Sequence, residues 1–234
     1  MHRTPVKPFL KWAGGKGQLL ERIAPYYPFS ESINRYVEPF VGGGAVLCDV
    51  LNRYDLEEIH INDLNGALIN AYRTIRNQVH ALLELLELLE REFISRDTAT
   101  RAAYYYAKRD EFNALNRTNA SGPAPAALLI FLNRTCFNGL YRVNGRGEFN
   151  VPVGRYKNPA ICQSANLLAL AEKFGPCTSA RATTGSWPTA STATASSIWT
   201  RPTGPCPPAP NSPPTPPAAS TTANSGGWPP SSTK

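Results

Sequence analysis

From Pro176 to Lys234 the chain has no acidic residue, and no Leu, Val, Phe, Tyr or Met. Ile198 is the single sizeable aliphatic side chain of that stretch, which Pro, Thr, Ser and Ala fill around Trp187, Trp199 and Trp228. Such a composition cannot offset the entropy of ordering a backbone, so residues 176–234 are expected to form a disordered tail. All seventeen acidic residues lie before Pro176. The foldable part therefore ends near residue 175, which still leaves enough chain for a sizeable core.

Other absences narrow the function. Cys48, Cys136, Cys162, Cys177 and Cys206 are odd in number, widely spaced and contain no CxxC pair. Neither a disulfide framework nor a zinc site is indicated, no metal is expected, and a reducing cytoplasm fits. The sequence has no signal peptide and no run of eighteen apolar residues, so a soluble, non-exported monomer without a membrane partner is expected. The segment KWAGGKG at 11–17 fails as a phosphate loop. Gly17 follows Lys16 where Ser or Thr is required, and Leu10 stands where the first glycine must be. Two readings of this segment stand: a flexible basic N-terminus, or a Trp face and a Lys that hold an adenine ring and a carboxylate.

The charge is uneven. Of the net +7, the part before Pro176 contributes +4, from 21 Lys and Arg against 17 acids, and Arg181, Arg201 and Lys234 supply the rest. A mild basic excess suits a nucleic-acid partner without establishing one.

Periodicity gives the organisation. Gln18–Tyr26 reads as a short helix, Asn34–Phe40 as a buried strand closed by Pro39 and glycines, Ala45–Asn52 as a helix and Glu58–Asn62 as a second strand. Strand, glycine loop, helix, strand is one βαβ unit, which implies a parallel sheet. Residues 66–96 are strongly helical, with LLELLELLE a core helix rather than a coiled coil because its repeat does not continue. Ala99–Leu115 and Pro125–Asn133 read as two more helices, and 164–173 as a last short one. Between them, Asn-Gly pairs at 138–139 and 144–145 mark an irregular hairpin region. Tyr104–Tyr106, His2, His60 and His80 read as structural.

Three stretches can carry chemistry. In VEPFVGGGAV, Gly42, Gly43 and Gly44 lie between a strand and a helix, where a ligand could approach the backbone closely. Asp63, at the end of the second strand, is placed to accept hydrogen bonds from both hydroxyls of a ribose; a tight turn with a helix-capping Asp is the structural alternative. The region from Asn133 to Pro159 gathers Arg134, Arg142, Arg146, Arg155 and Lys157 against one acid, Glu148, with Phe137, Tyr141, Phe149 and Tyr156 interleaved. Arginines reach phosphates and guanine edges while aromatics can enter a base step, although a solvated hairpin would look the same.

Together these stretches resemble the DNA adenine methylase (Dam-like) family. FLKWAGGKGQLL is similar to its N-terminal cofactor motif, VEPFVGGG to its glycine motif, and NRTCFNGLYRVNGRGEFNVPVGRYKNP to its target-recognition segment, in the order of the alpha class. The resemblance spans about residues 5–173. It implies an α/β fold: a Rossmann-like sheet dependent on S-adenosylmethionine, with an inserted, mostly helical DNA-recognition domain. The expected divisions are 1–76 for the first part of the catalytic domain, 77–160 for recognition, 161–175 for the return and 176–234 for the tail.

The implied activity is methyl transfer from S-adenosylmethionine to the exocyclic amine of adenine in double-stranded DNA, as in restriction-modification enzymes. By resemblance, Trp12, Lys16, Glu38, Phe40, Gly42, Gly43, Gly44 and Asp63 would hold the cofactor. Lys11, Phe137, Asn138, Arg142, Asn144, Pro152 and Tyr156 would contact DNA, with Phe137 a candidate wedge in the opened base stack. The target base must leave the helix to reach the methyl group.

What the family needs next is a DPPY tetrapeptide, whose Asp and a Pro carbonyl orient the adenine amine and whose Tyr stacks on the flipped base. No DPPY occurs here, so no catalytic residue is assigned. Back-translation of Trp199–Pro207 offers a reason. Regrouped from the last base of the Trp199 codon, with Arg201 read as CGN (AGR is the other choice), the triplets become GAC, NCG, NCC, NAC, NGG, NCC, NTG and YCC. The first must encode Asp and the rest permit Pro, Pro, Tyr, Arg, Pro, Leu and Ser. The tail is therefore expected to be the right gene read one base out of register from about residue 175. A genuine Pro-rich linker is the alternative.

A sheet without its later strands would leave an open edge, so poor stability and aggregation are expected. Three functions compete: an adenine methyltransferase by descent, a catalytically inactive DNA-binding remnant, and an RNA or small-molecule methyltransferase. The last is disfavoured by the recognition segment.

Overall fold

The computed structural model describes residues 4–175, 178–181 and 195–197. Among the described residues four parallel strands, β1 (Arg35–Glu38), β2 (Glu58–Asn62), β3 (Thr178–Arg181) and β4 (Ala195–Ser197), form one sheet in the order β3-β2-β1-β4. Its centre is the expected βαβ unit: β1 (Arg35–Glu38), α2 (Ala45–Arg53) and β2 (Glu58–Asn62). The register pairs Arg35 with Glu58 and Glu38 with Ile61. Alternation drives the strands: Tyr36 and Glu38 of β1, and Ile59 and Ile61 of β2, are buried, while Arg35, Val37, Glu58 and His60, which alternate with them, are half-exposed and Asn62 at the end of β2 is buried. α2 lays Val46, Leu47, Val50 and Leu51 on the sheet, one helical face of i, i+1, i+4, i+5 spacing.

The segment expected to be a single helix at 18–26 is a run of tighter and looser turns. A 3-10 turn at Lys16–Leu19, α1 (Leu20–Ile23) and a 3-10 turn at Ala24–Tyr26 follow one another. None of them has a buried residue to stabilise a longer helix.

The rest is helical. α3 (Gly66–Ile94) starts at Asn65, whose side chain accepts the Leu68 N–H, a standard N-cap. It buries Leu68, Ile69, Tyr72 and Ile75, passes through a kink at Gln78 (φ −144, ψ 38), and then buries Leu82, Leu83, Leu86, Leu89 and Phe93. α3 thus runs through the expected boundary at 76–77. α4 (Thr98–Arg117) is capped by Asp97. α5 (Pro123–Thr135) is buried on nearly every side, from Pro125 to Asn133, and α3 and α4 pack on it. A helix apolar all round belongs at the centre of a helical layer. α6 (Ser164–Phe174) returns against α3.

Two short strands fall within the stretch expected to be a tail. β3 (Thr178–Arg181) pairs in parallel with β2, and β4 (Ala195–Ser197) with β1. Parallel pairing uses main-chain N–H and C=O groups, so the open sides of β1 and β2 accept a strand that lacks aliphatic side chains. Residues 176–177, 182–194 and 198–234, where the remainder of that expectation falls, lie outside the described residues.

Candidate functional site

The loop after β1 is fixed from three directions. Val41 N–H donates to the Asn62 carbonyl at 2.9 Å and Gly44 N–H to the Val41 carbonyl at 2.9 Å. Gly42 N–H donates to Asp63 Oδ2 at 3.0 Å, while Asp63 Oδ1 accepts the Asn65 N–H at 2.9 Å. Tyr72 OH donates to the Gly42 carbonyl at 3.0 Å. Gly42 and Gly44 have φ of 50 and 76, the left-handed region that favours glycine.

The first and second motifs meet here. A Cβ on Gly43 would sit 2.8 Å from Trp12 Cβ, and one on Gly42 would sit 3.1 Å from Trp12 Cδ1. Only bare backbone lets the indole lie across the loop. A Cβ on Gly44 would collide with the Tyr72 hydroxyl. Trp12, Gly42, Gly43 and Asp63 therefore form one wall.

Glu38 lies behind that wall, 2% exposed, and accepts the Tyr36 hydroxyl at Oε2 over 2.6 Å. Burial pushes its carboxyl from the ordinary value near 4.5 up to about 8, with the negative charge of Asp63 adding to the rise. The Tyr36 hydroxyl, the half-buried Lys16 and the Leu47 backbone N–H oppose it. A buried carboxyl poised in this way ionises readily when a cation arrives beside it. Phe40, which follows buried Pro39, is half-buried at the head of the loop.

The third stretch joins the same region through Lys11. Its N–H donates to Asn133 Oδ1 at 2.8 Å, its carbonyl accepts from Asn133 Nδ2 at 2.8 Å, and its Nζ lies 4.6 Å from the centre of the Tyr156 ring. Asn133 Nδ2 also donates to the Gly139 carbonyl at 2.9 Å. Phe137–Gly139 form a 3-10 turn in which Asn138 (φ 54) and Gly139 (φ 63) are both left-handed. Phe137, 51% exposed, is held at its base by an N–H bond to the Pro152 carbonyl at 2.9 Å.

The hairpin beyond is short. Val143 bridges Phe149, Cys136 bridges Val153, and Asn113 closes the ladder with two bonds to the backbone of Phe149. Arg142 and Pro152 are exposed, with Arg142 Nε donating to Asn150 Oδ1 at 2.8 Å. Asn144 is committed to the turn: its Oδ1 accepts the N–H groups of Arg146 and Glu148. Arg134 turns inward, donating to the Phe9 carbonyl and to Gln163, and burial lowers its pKa.

The structure thus groups Trp12, Gly42, Gly43, Gly44 and Asp63, with Glu38, Lys16 and Phe40 adjoining, and groups Lys11 with Tyr156, Gly139 and the exposed Phe137 and Asn138. Sequence reasoning missed Asn133 and Tyr72, and it named Tyr141 as an aromatic of the recognition stretch rather than as a partner of Trp12. The Tyr141 ring stacks on Trp12 (centroids 5.2 Å apart, planes 25° apart). The signal for Asn133 was an amide directly after the apolar run of α5, on a helix buried nearly all round. An open groove of about 790 Å³ starts beside Asp63, walled by Asn70, Arg73, Asn77, Asn116 and Tyr141. Among the described residues no cluster of His, Cys, Asp and Glu could hold a metal ion, and no helix is long and apolar enough to cross a membrane.

Comparison with known proteins bears on this arrangement. The family model of the D12 class N6 adenine-specific DNA methyltransferases matches residues 12–186. A type II methyltransferase of Methanocaldococcus jannaschii is 49% identical over 165 residues, covering 69% of this chain and 57% of its own length. One from Lactococcus lactis subsp. cremoris is 38% identical over 171 residues, with 73% and 56% covered. The DNA adenine methylase of Haemophilus influenzae is 40% identical over 152 residues, with 64% and 48% covered. The chain spans about half the length of the curated relatives it matches.

Proposed function

The chain belongs to the D12 class N6 adenine-specific DNA methyltransferase family, and from that premise we propose that its lineage moves a methyl group from S-adenosylmethionine to the exocyclic amine of adenine in duplex DNA. The observation that carries this reading is the single wall built from Trp12, Gly42, Gly43 and Asp63, with a buried Glu38 behind it.

The wall fits such a cofactor chemically. S-adenosylmethionine supplies an electrophilic methyl on a sulfonium and carries an ammonium, a carboxylate and a ribose. Asp63 spends one lone pair of each oxygen on backbone N–H groups and keeps the others for ribose hydroxyls. Glu38 would ionise to face the cationic groups, Lys16 would meet the carboxylate, and the Trp12 ring and Phe40 would supply apolar faces. On the DNA side, Lys11 and Arg142 would reach phosphate or base edges and Tyr156 would brace Lys11. Exposed Phe137 would enter the base step that target extrusion opens, with Asn138 and Pro152 beside it and Asn144 setting the hairpin turn. The helices and hairpin of about 77–160 would form the recognition domain inserted in a Rossmann-like sheet.

The tail belongs to the same proposal: it is the family's catalytic segment read out of register. β4 ends at Ser197 beside β1, and the codons from Trp199 onward are those that permit Asp-Pro-Pro-Tyr in another frame. Positioning supplies much of the rate in such a transfer, so the chain as written should bind but not methylate.

Sequencing the gene across codons 170–205 and assaying both versions on adenine-containing duplex tests this. Methyl transfer that appears only when one base restores the frame supports it. A gene with no DPPY in any frame there defeats the register shift. An intact-frame protein that binds neither duplex nor S-adenosylmethionine defeats the function.

A further inference from the structure

We propose that Asn133 is a positioning residue that couples occupancy of the cofactor wall to the order of the DNA-reading turn, an inference that rests on the function proposed above. One buried amide, 1% exposed, makes three bonds to two main-chain segments. It accepts the Lys11 N–H, donates to the Lys11 carbonyl and donates to the Gly139 carbonyl.

The two segments have different tasks. Lys11 immediately precedes Trp12, whose indole covers Gly42 and Gly43. Gly139 ends the turn that presents Phe137 and Asn138 to solvent. That turn holds two successive left-handed residues, Asn138 and Gly139, which an Asn-Gly pair favours and which the bond from Asn133 to the Gly139 carbonyl fixes in place. Gly139 is pressed on the Lys11 side chain, where an added Cβ would lie 2.6 Å from Lys11 Cβ.

A second tie runs in parallel. Tyr141, two residues past Gly139, stacks on the far face of the same region through Trp12. Its hydroxyl meets Asn65, which neighbours Asp63 and takes part in the same cap.

The energetic consequence follows from shared ordering. Ala13, Gly14 and Gly15 are exposed, and Gly14 has φ 75, so the Lys11–Lys16 segment has little burial of its own to fix it. A ligand that orders Trp12 also orders Lys11, and through Asn133 it orders the turn. A duplex arriving second then loses less conformational entropy, which is positive cooperativity without a large displacement. Linkage makes the effect reciprocal.

The experiment is a binding cycle on the full 234-residue chain. Titration calorimetry would measure S-adenosylmethionine with and without an adenine-containing duplex, and the duplex with and without S-adenosylmethionine. The unaltered chain is expected to show each ligand tightening the other by at least about fivefold. Asn133→Ala should bring that factor close to one while changing cofactor affinity alone by less than about threefold.

Tyr141→Leu, at a half-buried position packed against the core, should lower the factor, and Tyr141→Phe, which keeps the ring on Trp12 and loses only the hydroxyl, should restore most of it. Those two variants keep the test decisive where Asn133→Ala fails to fold. Ligands that both bind but show no coupling in the unaltered chain overturn the proposal. So does a coupling factor that Asn133→Ala, or Tyr141→Leu, leaves intact. Failure of the unaltered chain to bind either ligand would instead overturn the function on which the proposal rests.

Discussion

The carboxylate of Asp63 holds the backbone N–H of Gly42 at 3.0 Å. The residue expected at a ribose is thus also the clasp of the glycine loop, and the two roles can be separated. Asp63→Ala leaves the N–H groups of Gly42 and Asn65 without their acceptor and should cost about 1–3 kcal/mol of stability in the absence of any ligand. Asp63→Asn retains one acceptor and should cost less, yet still weaken S-adenosylmethionine binding by about tenfold or more. Ligand-free thermal melts of the two variants, set beside their calorimetric affinities, check this.

Glu38 should give the fold a pH dependence. Its folded value, about 8, lies above its ordinary value near 4.5, so the stability of the neutral form is fully present below 4.5 and is lost as pH rises through about 8. The slope should approach about 1.4 kcal/mol per pH unit inside that window and level off above it. Glu38→Gln, neutral throughout, should flatten this part of the profile. Chemical denaturation of both proteins across the window is the measurement, and parallel curves would contradict the burial argument.

Gly44→Ala should be the most damaging change in the loop. Its φ of 76 strains any side chain, and the new methyl would strike the Tyr72 hydroxyl, which holds the Gly42 carbonyl. A loss of about 2–4 kcal/mol is expected from strain and displaced packing together. Gly145→Ala, whose added Cβ meets nothing within 4 Å, should change stability little and serves as the control.

Lys11→Ala and Arg142→Ala should weaken duplex binding across all sequences if the side chains meet phosphates. Each should lower the magnitude of the salt slope by about one. If Arg142 instead reads a base edge, its loss should relax preference at one position while leaving the slope nearly unchanged. Titrations at several salt concentrations with matched and shuffled duplexes separate the two outcomes.

Much of this arrangement was legible from residue patterns. The strand at Glu58–Asn62 and the helix beginning at Ala45 follow from apolar spacing, and the leucines at 82, 83, 86 and 89 are buried as a core helix requires. Trp12 and the glycines were visible as separate motifs, but no pattern records that an indole lies on them, because that contact depends on where distant segments return. The role of Asn133 was hidden for a related reason: a sequence shows a polar residue at the end of an apolar run without naming its partners. β3 and β4 were missed because composition reports side-chain burial, whereas their pairing is made by the main chain.

The kink at Gln78 gives α3 the mechanics of an elbow. Its first arm, from Gly66, is capped against the sheet through Asn65, and its second arm, residues 79–94, is about 24 Å long at 1.5 Å per residue. A bend of about 10° at that joint would carry the tip roughly 4 Å, more than the width of a hydrogen bond, while leaving the first arm in place. One residue with a non-helical backbone therefore divides α3 into an arm beside the Asp63 loop and an arm whose direction, and with it the placement of Phe93 on Phe131, is set at the joint.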